Sequence, residues 1–74
     1  MKPYRNAGSG ITGYEYSDRW IHIRFASAAV HAYTKGRIGA KHLAALKKLA
    51  DAGDGLNTYI NKNPRVKNGS TRLG

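Results

Sequence analysis

The chain has no cysteine, so no disulfide and no thiolate metal site holds it together. That lack is consistent with a reducing compartment. It has no apolar run near the roughly 18 residues that a membrane span needs. The opening MKPYRNAGSG lacks the apolar core of a secretory signal. The expectation is a soluble, cytoplasmic protein. Acidic residues are also few: Glu15, Asp18, Asp51 and Asp54 face thirteen Lys and Arg, for a formal charge of +9. The pI lies near 10.3. Self-repulsion at that density opposes folding, so the excess points to an anionic partner.

With 74 residues there is room for one domain. Such a chain buries only about 60% of its unfolded surface, so its stability is marginal. The cations are unevenly placed. Lys35, Arg37, Lys41, Lys47 and Lys48 have no acid among them, nor do Lys62, Arg65, Lys67 and Arg72. Residues 1–10 and 63–74 are rich in Gly, Asn and Ser and show no hydrophobic period. They read as flexible basic arms, the first carrying Lys2, Tyr4 and Arg5. The ordered domain is then 11–62.

Within it, RWIHIRF (19–25) alternates with the period of a half-buried strand. ITGYEY before it and AAVHAYT after it are rich in β-formers. A two-residue loop at Ser27-Ala28 pairs Phe25 with Val30, Arg24 with His31, Ile23 with Ala32 and His22 with Tyr33. That register puts Ile21, Ile23, Phe25, Val30 and Ala32 on one face, and a one-residue slip would mix the two faces. Trp20, His22, Arg24, His31 and Tyr33 would share the other. From Ala40 to Ala52 the period becomes helical, with Leu43, Leu46, Leu49 and Ala50 in a stripe opposite Lys41 and Lys48. Gly53 suits the residue that ends this helix. Asp54 is placed to cap a second helix, which buries Leu56, Tyr59 and Ile60 and stops at Pro64. The expected class is α+β: a three-stranded antiparallel sheet with two helices packed on one face.

Few catalytic constellations are present. Gly8-Ser9-Gly10-Ile11-Thr12-Gly13 spells G-x-G-x-x-G, but a strand is expected after it instead of the helix that dinucleotide binding requires. His22, His31 and His42 lack the partners of a closed metal site. No serine has a base and an orienting carboxylate beside it. The chain therefore reads as non-enzymatic, with no metal, cofactor or small-molecule substrate. The constellation that remains is the wet sheet face of Trp20, His22, Arg24, His31 and Tyr33. Flat rings among cations suit unpaired bases, each with a face to stack and a phosphate to neutralise.

Ile11, Gly13-Tyr14, Ile21-His22-Ile23-Arg24-Phe25 and Val30-His31-Ala32-Tyr33 together resemble the KTSC domain family. Gly55-Leu56-Asn57-Thr58-Tyr59-Ile60 is similar to that family's closing segment, so the resemblance spans roughly 9–62. Two positions depart from it. The family's Tyr-x-Tyr is His31-Ala32-Tyr33 here, and the Gly of its preceding turn is missing from Ala26-Ser27-Ala28-Ala29. The resemblance implies a compact β-rich domain and a role in RNA binding.

A lone basic domain with charged ends also resembles the small regulators that lytic phages make to bind host RNA polymerase. Two expectations follow. In one, a monomeric phage regulator docks on RNA polymerase through Lys35, Arg37, Lys41 and Lys48. Its arm residues Lys2, Tyr4 and Arg5 then reach for nucleic acid. In the other, the sheet face binds single-stranded RNA directly.

Overall fold

A computed structural model describes residues 1–74, the side chain of Ala7 excepted. The alternation in RWIHIRF does form a strand, at the centre of an antiparallel sheet of five strands in sequential order. These are β1 (Lys2–Pro3), β2 (Ile11–Ser17), β3 (Trp20–Phe25), β4 (Val30–Thr34) and β5 (Thr71–Arg72). Four helices complete the α+β fold: α1 (Lys35–Ile38), α2 (Ala40–Ala52), α3 (Leu56–Lys62) and α4 (Pro64–Asn68). Among the described residues, no helix is long and apolar enough to cross a membrane.

Sheet and helices are more numerous than the expected three and two because both terminal segments join the fold. β1 pairs with β2, and β5 pairs with β4. Tyr4, expected on a free arm, is 3% exposed, and its hydroxyl accepts the Leu56 N–H at 3.1 Å. Val66, expected in a disordered tail, is fully buried. Pro64 ends α3 as expected, but it also opens α4, where its fixed φ and missing N–H carry no penalty.

The hairpin from β3 to β4 corrects the expected register. Arg24 faces Val30, Ile23 faces His31, His22 faces Ala32 and Ile21 faces Tyr33. The loop has three residues, Ala26-Ser27-Ala28. The Ala28 N–H donates to the Phe25 carbonyl at 2.9 Å, and the Phe25 N–H donates to Ala29 at 2.9 Å. Such a loop ends on a residue in the left-handed region, here Ala28 at φ 70°. One extra loop residue turns every β4 side chain to the opposite face. Tyr33 and His31 therefore join Ile21 and Ile23 under the helices, while Val30 and Ala32 turn to the open face.

The covered face packs Ile11, Tyr14, Ile21, Ile23 and Tyr33 against Leu43, Leu46 and Ala50 of α2 and Leu56 and Ile60 of α3. Phe25, Leu49 and Tyr59 are only partly buried against this core. Gly53 ends α2 in the left-handed region at φ 72°, its N–H donating to the Leu49 and Ala50 carbonyls. A Cβ at Gly53 would also lie 2.5 Å from that of Arg5. Asp54 does not cap α3; it accepts a 3.5 Å hydrogen bond from Asn6, and Gly55 holds the cap position.

Candidate nucleic-acid interface

Alternation along β3 leaves Trp20, His22 and Arg24 on the face that no helix covers. Their cross-strand neighbours there are Ser17 and Thr34 beside Trp20, Glu15 and Ala32 beside His22, and Gly13 and Val30 beside Arg24. Trp20 stacks on His22 with centroids 4.1 Å apart and planes 24° from parallel. Arg24 is exposed, its Nε donating to Thr12 Oγ1 at 3.1 Å.

Beyond Trp20 the two-residue turn Asp18-Arg19 reverses the chain. The Lys35 N–H donates to the Arg19 carbonyl at 2.9 Å, tying this turn to the start of α1. Between them lies an open concavity of about 630 Å³, lined by Arg19, Trp20, Thr34, Lys35 and Gly36. His22 is outside that lining and stacks on the Trp20 ring. Lys35 also borders a smaller hollow of about 180 Å³ with Asp18, Leu43 and Lys47. Lys47 donates to the Asp18 carbonyl at 3.3 Å, and its ammonium sits 5.4 Å from the centre of the Tyr16 ring.

The electrostatics of the whole surface are one-sided. Among the described residues, no Lys or Arg lies within 4.0 Å of an Asp or Glu side chain. Most of the acids are engaged elsewhere. Asp51 accepts from the Tyr16 hydroxyl at 2.6 Å and from the Tyr14 hydroxyl at 2.9 Å. Those bonds hold its carboxyl below the usual range and raise the Tyr16 phenol, while burial, with Asp51 second, raises that of Tyr14. Glu15 pairs with the Met1 ammonium at 3.9 Å.

Of the residues singled out by sequence, the structure groups Trp20, His22, Arg24 and Lys35. Arg37, Lys41 and Lys48 are exposed on α1 and α2, outside the concavity. Lys35 and Arg37 lie on the single turn α1. Lys2 is exposed on the edge strand β1, while Arg5 packs its side chain against Gly53. Tyr4 is a core residue, not a reaching one. His31 and Tyr33 leave the open face altogether.

Arg19, which sequence reasoning did not assign to the site, lines the concavity, and Lys47 borders the adjacent hollow. Arg19 had one signal: a turn that starts at Asp18 places it next to Trp20.

His31 instead stands edge-on to Phe25, with its Nδ1 3.1 Å from Ser70 Oγ. His42 meets the Tyr59 hydroxyl at 2.7 Å. A strand, and not a helix, begins within the glycine-rich Gly8–Gly13 segment, at Ile11. No family model, curated protein or solved structure matches the chain.

Proposed function

We propose that this chain is a non-enzymatic module that binds single-stranded RNA at the concavity beside Trp20. The observation that carries this reading is an indole ring backed by His22 and flanked by Arg19 and Lys35, with neither cation paired to a carboxylate. An unpaired base extends the His22–Trp20 stack, while the adjoining phosphates take the place of the missing carboxylates. A duplex keeps its base faces covered, so the site favours unpaired strands. The resemblance to the KTSC family supports the same reading.

Trp20 is the sole tryptophan, so its fluorescence reports binding directly. Titration with short single-stranded RNA at low salt is expected to quench it. Trp20→Ala, which removes a half-exposed side chain outside the core, is expected to weaken binding about 5- to 150-fold, the equivalent of one stacked base. Unchanged fluorescence with saturating RNA refutes the proposal.

A second reading is favoured by the exposed cations Arg37, Lys41 and Lys48, which the concavity does not use. They suit a phage-encoded regulator that docks on an acidic surface of host RNA polymerase. Tagged protein would then retain polymerase subunits from a host lysate, and charge reversal at Lys41 and Lys48 would release them. Retention that survives this reversal, or no retention at all, removes that reading.

A further inference from the structure

On the far side of the sheet edge from Trp20, α3 and α4 leave a second hollow of about 290 Å³ against β4. Its lining includes the partly buried ring of Phe25, with His31 edge-on to it at 5.2 Å. Asn57 is held in place because its amide donates to the Ser9 carbonyl at 2.7 Å. Asn61 donates to the Asn57 side-chain oxygen at 3.3 Å, which leaves its own oxygen and second N–H free at the mouth. Ser70 engages His31 Nδ1, so the imidazole Nε2 is left for a ligand. Lys67 supplies a cation at the rim, and no carboxylate lines the hollow.

We infer that this hollow binds one nucleotide unit: a planar base over Phe25, read by the Asn61 amide, with its phosphate at Lys67. Each part of the lining has a counterpart in that ligand. A carboxamide presents a donor and an acceptor side by side, which matches the edge of a base. The Phe25 ring matches its face. The unpaired ammonium matches a phosphate, and the absence of acids keeps the anion welcome. The volume lies near the lower end for ligand pockets, sufficient for one nucleotide and too small for a stacked pair. A purely apolar ligand would leave the amides and the ammonium without partners on burial.

The unit has two possible sources with the same chemistry, a free mononucleotide or the end of an RNA strand. The inference does not depend on the site at Trp20, and the test separates the two. Isotope-labelled protein is titrated with AMP, UMP, inorganic phosphate and a tetraribonucleotide, following the side-chain NMR signals of His31, Asn61 and Trp20. A mononucleotide or the tetraribonucleotide is expected to shift His31 and Asn61 saturably, and the tighter of the two identifies the source. Exposed Asn61→Ala is expected to weaken that binding about tenfold. If inorganic phosphate reproduces the shifts with equal affinity, or Asn61→Ala has no effect, base recognition is wrong. Shifts confined to Trp20 overturn this inference and leave the first site standing. Shifts at Asn61 with a silent Trp20 do the reverse.

Discussion

The Tyr4 hydroxyl accepts the backbone N–H of Leu56 at 3.1 Å, across 52 residues of chain. Leu56 opens α3, where the first N–H groups have no partner within the helix and no side-chain cap is present. A residue of the N-terminal segment thereby does the work of a helix cap.

Removing that hydroxyl isolates the bond. Tyr4→Phe is expected to lower unfolding stability by about 1 kcal/mol, the usual net value of a hydrogen bond. Tyr4→Ala also empties a core position and is expected to cost about 3–5 kcal/mol. Urea unfolding followed by circular dichroism measures both. Wild-type stability in Tyr4→Ala would mean that this segment is a free arm.

Ala28 carries a positive φ that only glycine adopts without penalty. Ala28→Gly relieves about 1–2 kcal/mol in the fold and returns about 0.4–1 kcal/mol through greater freedom of the unfolded chain. A net gain near 0.5–1 kcal/mol raises the melting temperature by about 3–6 °C. Ala28→Val is expected to lower it, since β-branching makes that conformation worse. A melting temperature unchanged in both variants would contradict the three-residue loop.

Burial, and to a smaller extent Asp51, pushes Tyr14 up to about 12. Burial likewise raises Tyr33 to about 12, which the nearby Ser70 hydroxyl partly offsets. A phenol whose folded pKa exceeds its unfolded value near 10 contributes fully below pH 10. Its contribution is lost as pH climbs from 10 through 12. Asp51 is shifted the other way by Tyr16 and Tyr14, so its contribution holds above about pH 4 and fades as the solution becomes more acidic. Chemical unfolding across pH is expected to show a plateau between those limits. Ring signals of Tyr14 and Tyr33 that change near pH 10, with the fold intact, would contradict their burial.

Salt dependence counts the phosphates held at the concavity. Each phosphate neutralised on a single strand adds about −0.7 to the slope of log K against log salt. Arg19→Ala and Lys35→Ala are each expected to reduce that slope by about 0.7, with additive effects. Exposed Lys62→Ala serves as the control and leaves it unchanged. Equal loss from all three would indicate diffuse attraction instead of a site.

Strand β3 and helix α2 were legible because each repeats its period over several residues, and Gly53 marks the end of α2 by its backbone alone. The edge strands were not legible. β1 and β5 are two residues long, and each end is held by one or two side chains, Tyr4 at the first and Val66 before the last. So short an element shows no period. The site was half legible: alternation along β3 put Trp20, His22 and Arg24 together, whereas Arg19 and Lys47 arrive from a turn and a helix.

The sequence by itself determined the excess of positive charge, the absence of cysteine, the central strand and the long helix, since composition and local period need no partner. The tertiary structure alone decided which rings face water. Loop length sets the parity of strand pairing, and Ala26-Ser27-Ala28 contains no glycine to announce three residues in place of two. That one residue buries Tyr33 and His31, narrows the open face to Trp20, His22 and Arg24, and creates the second hollow behind it.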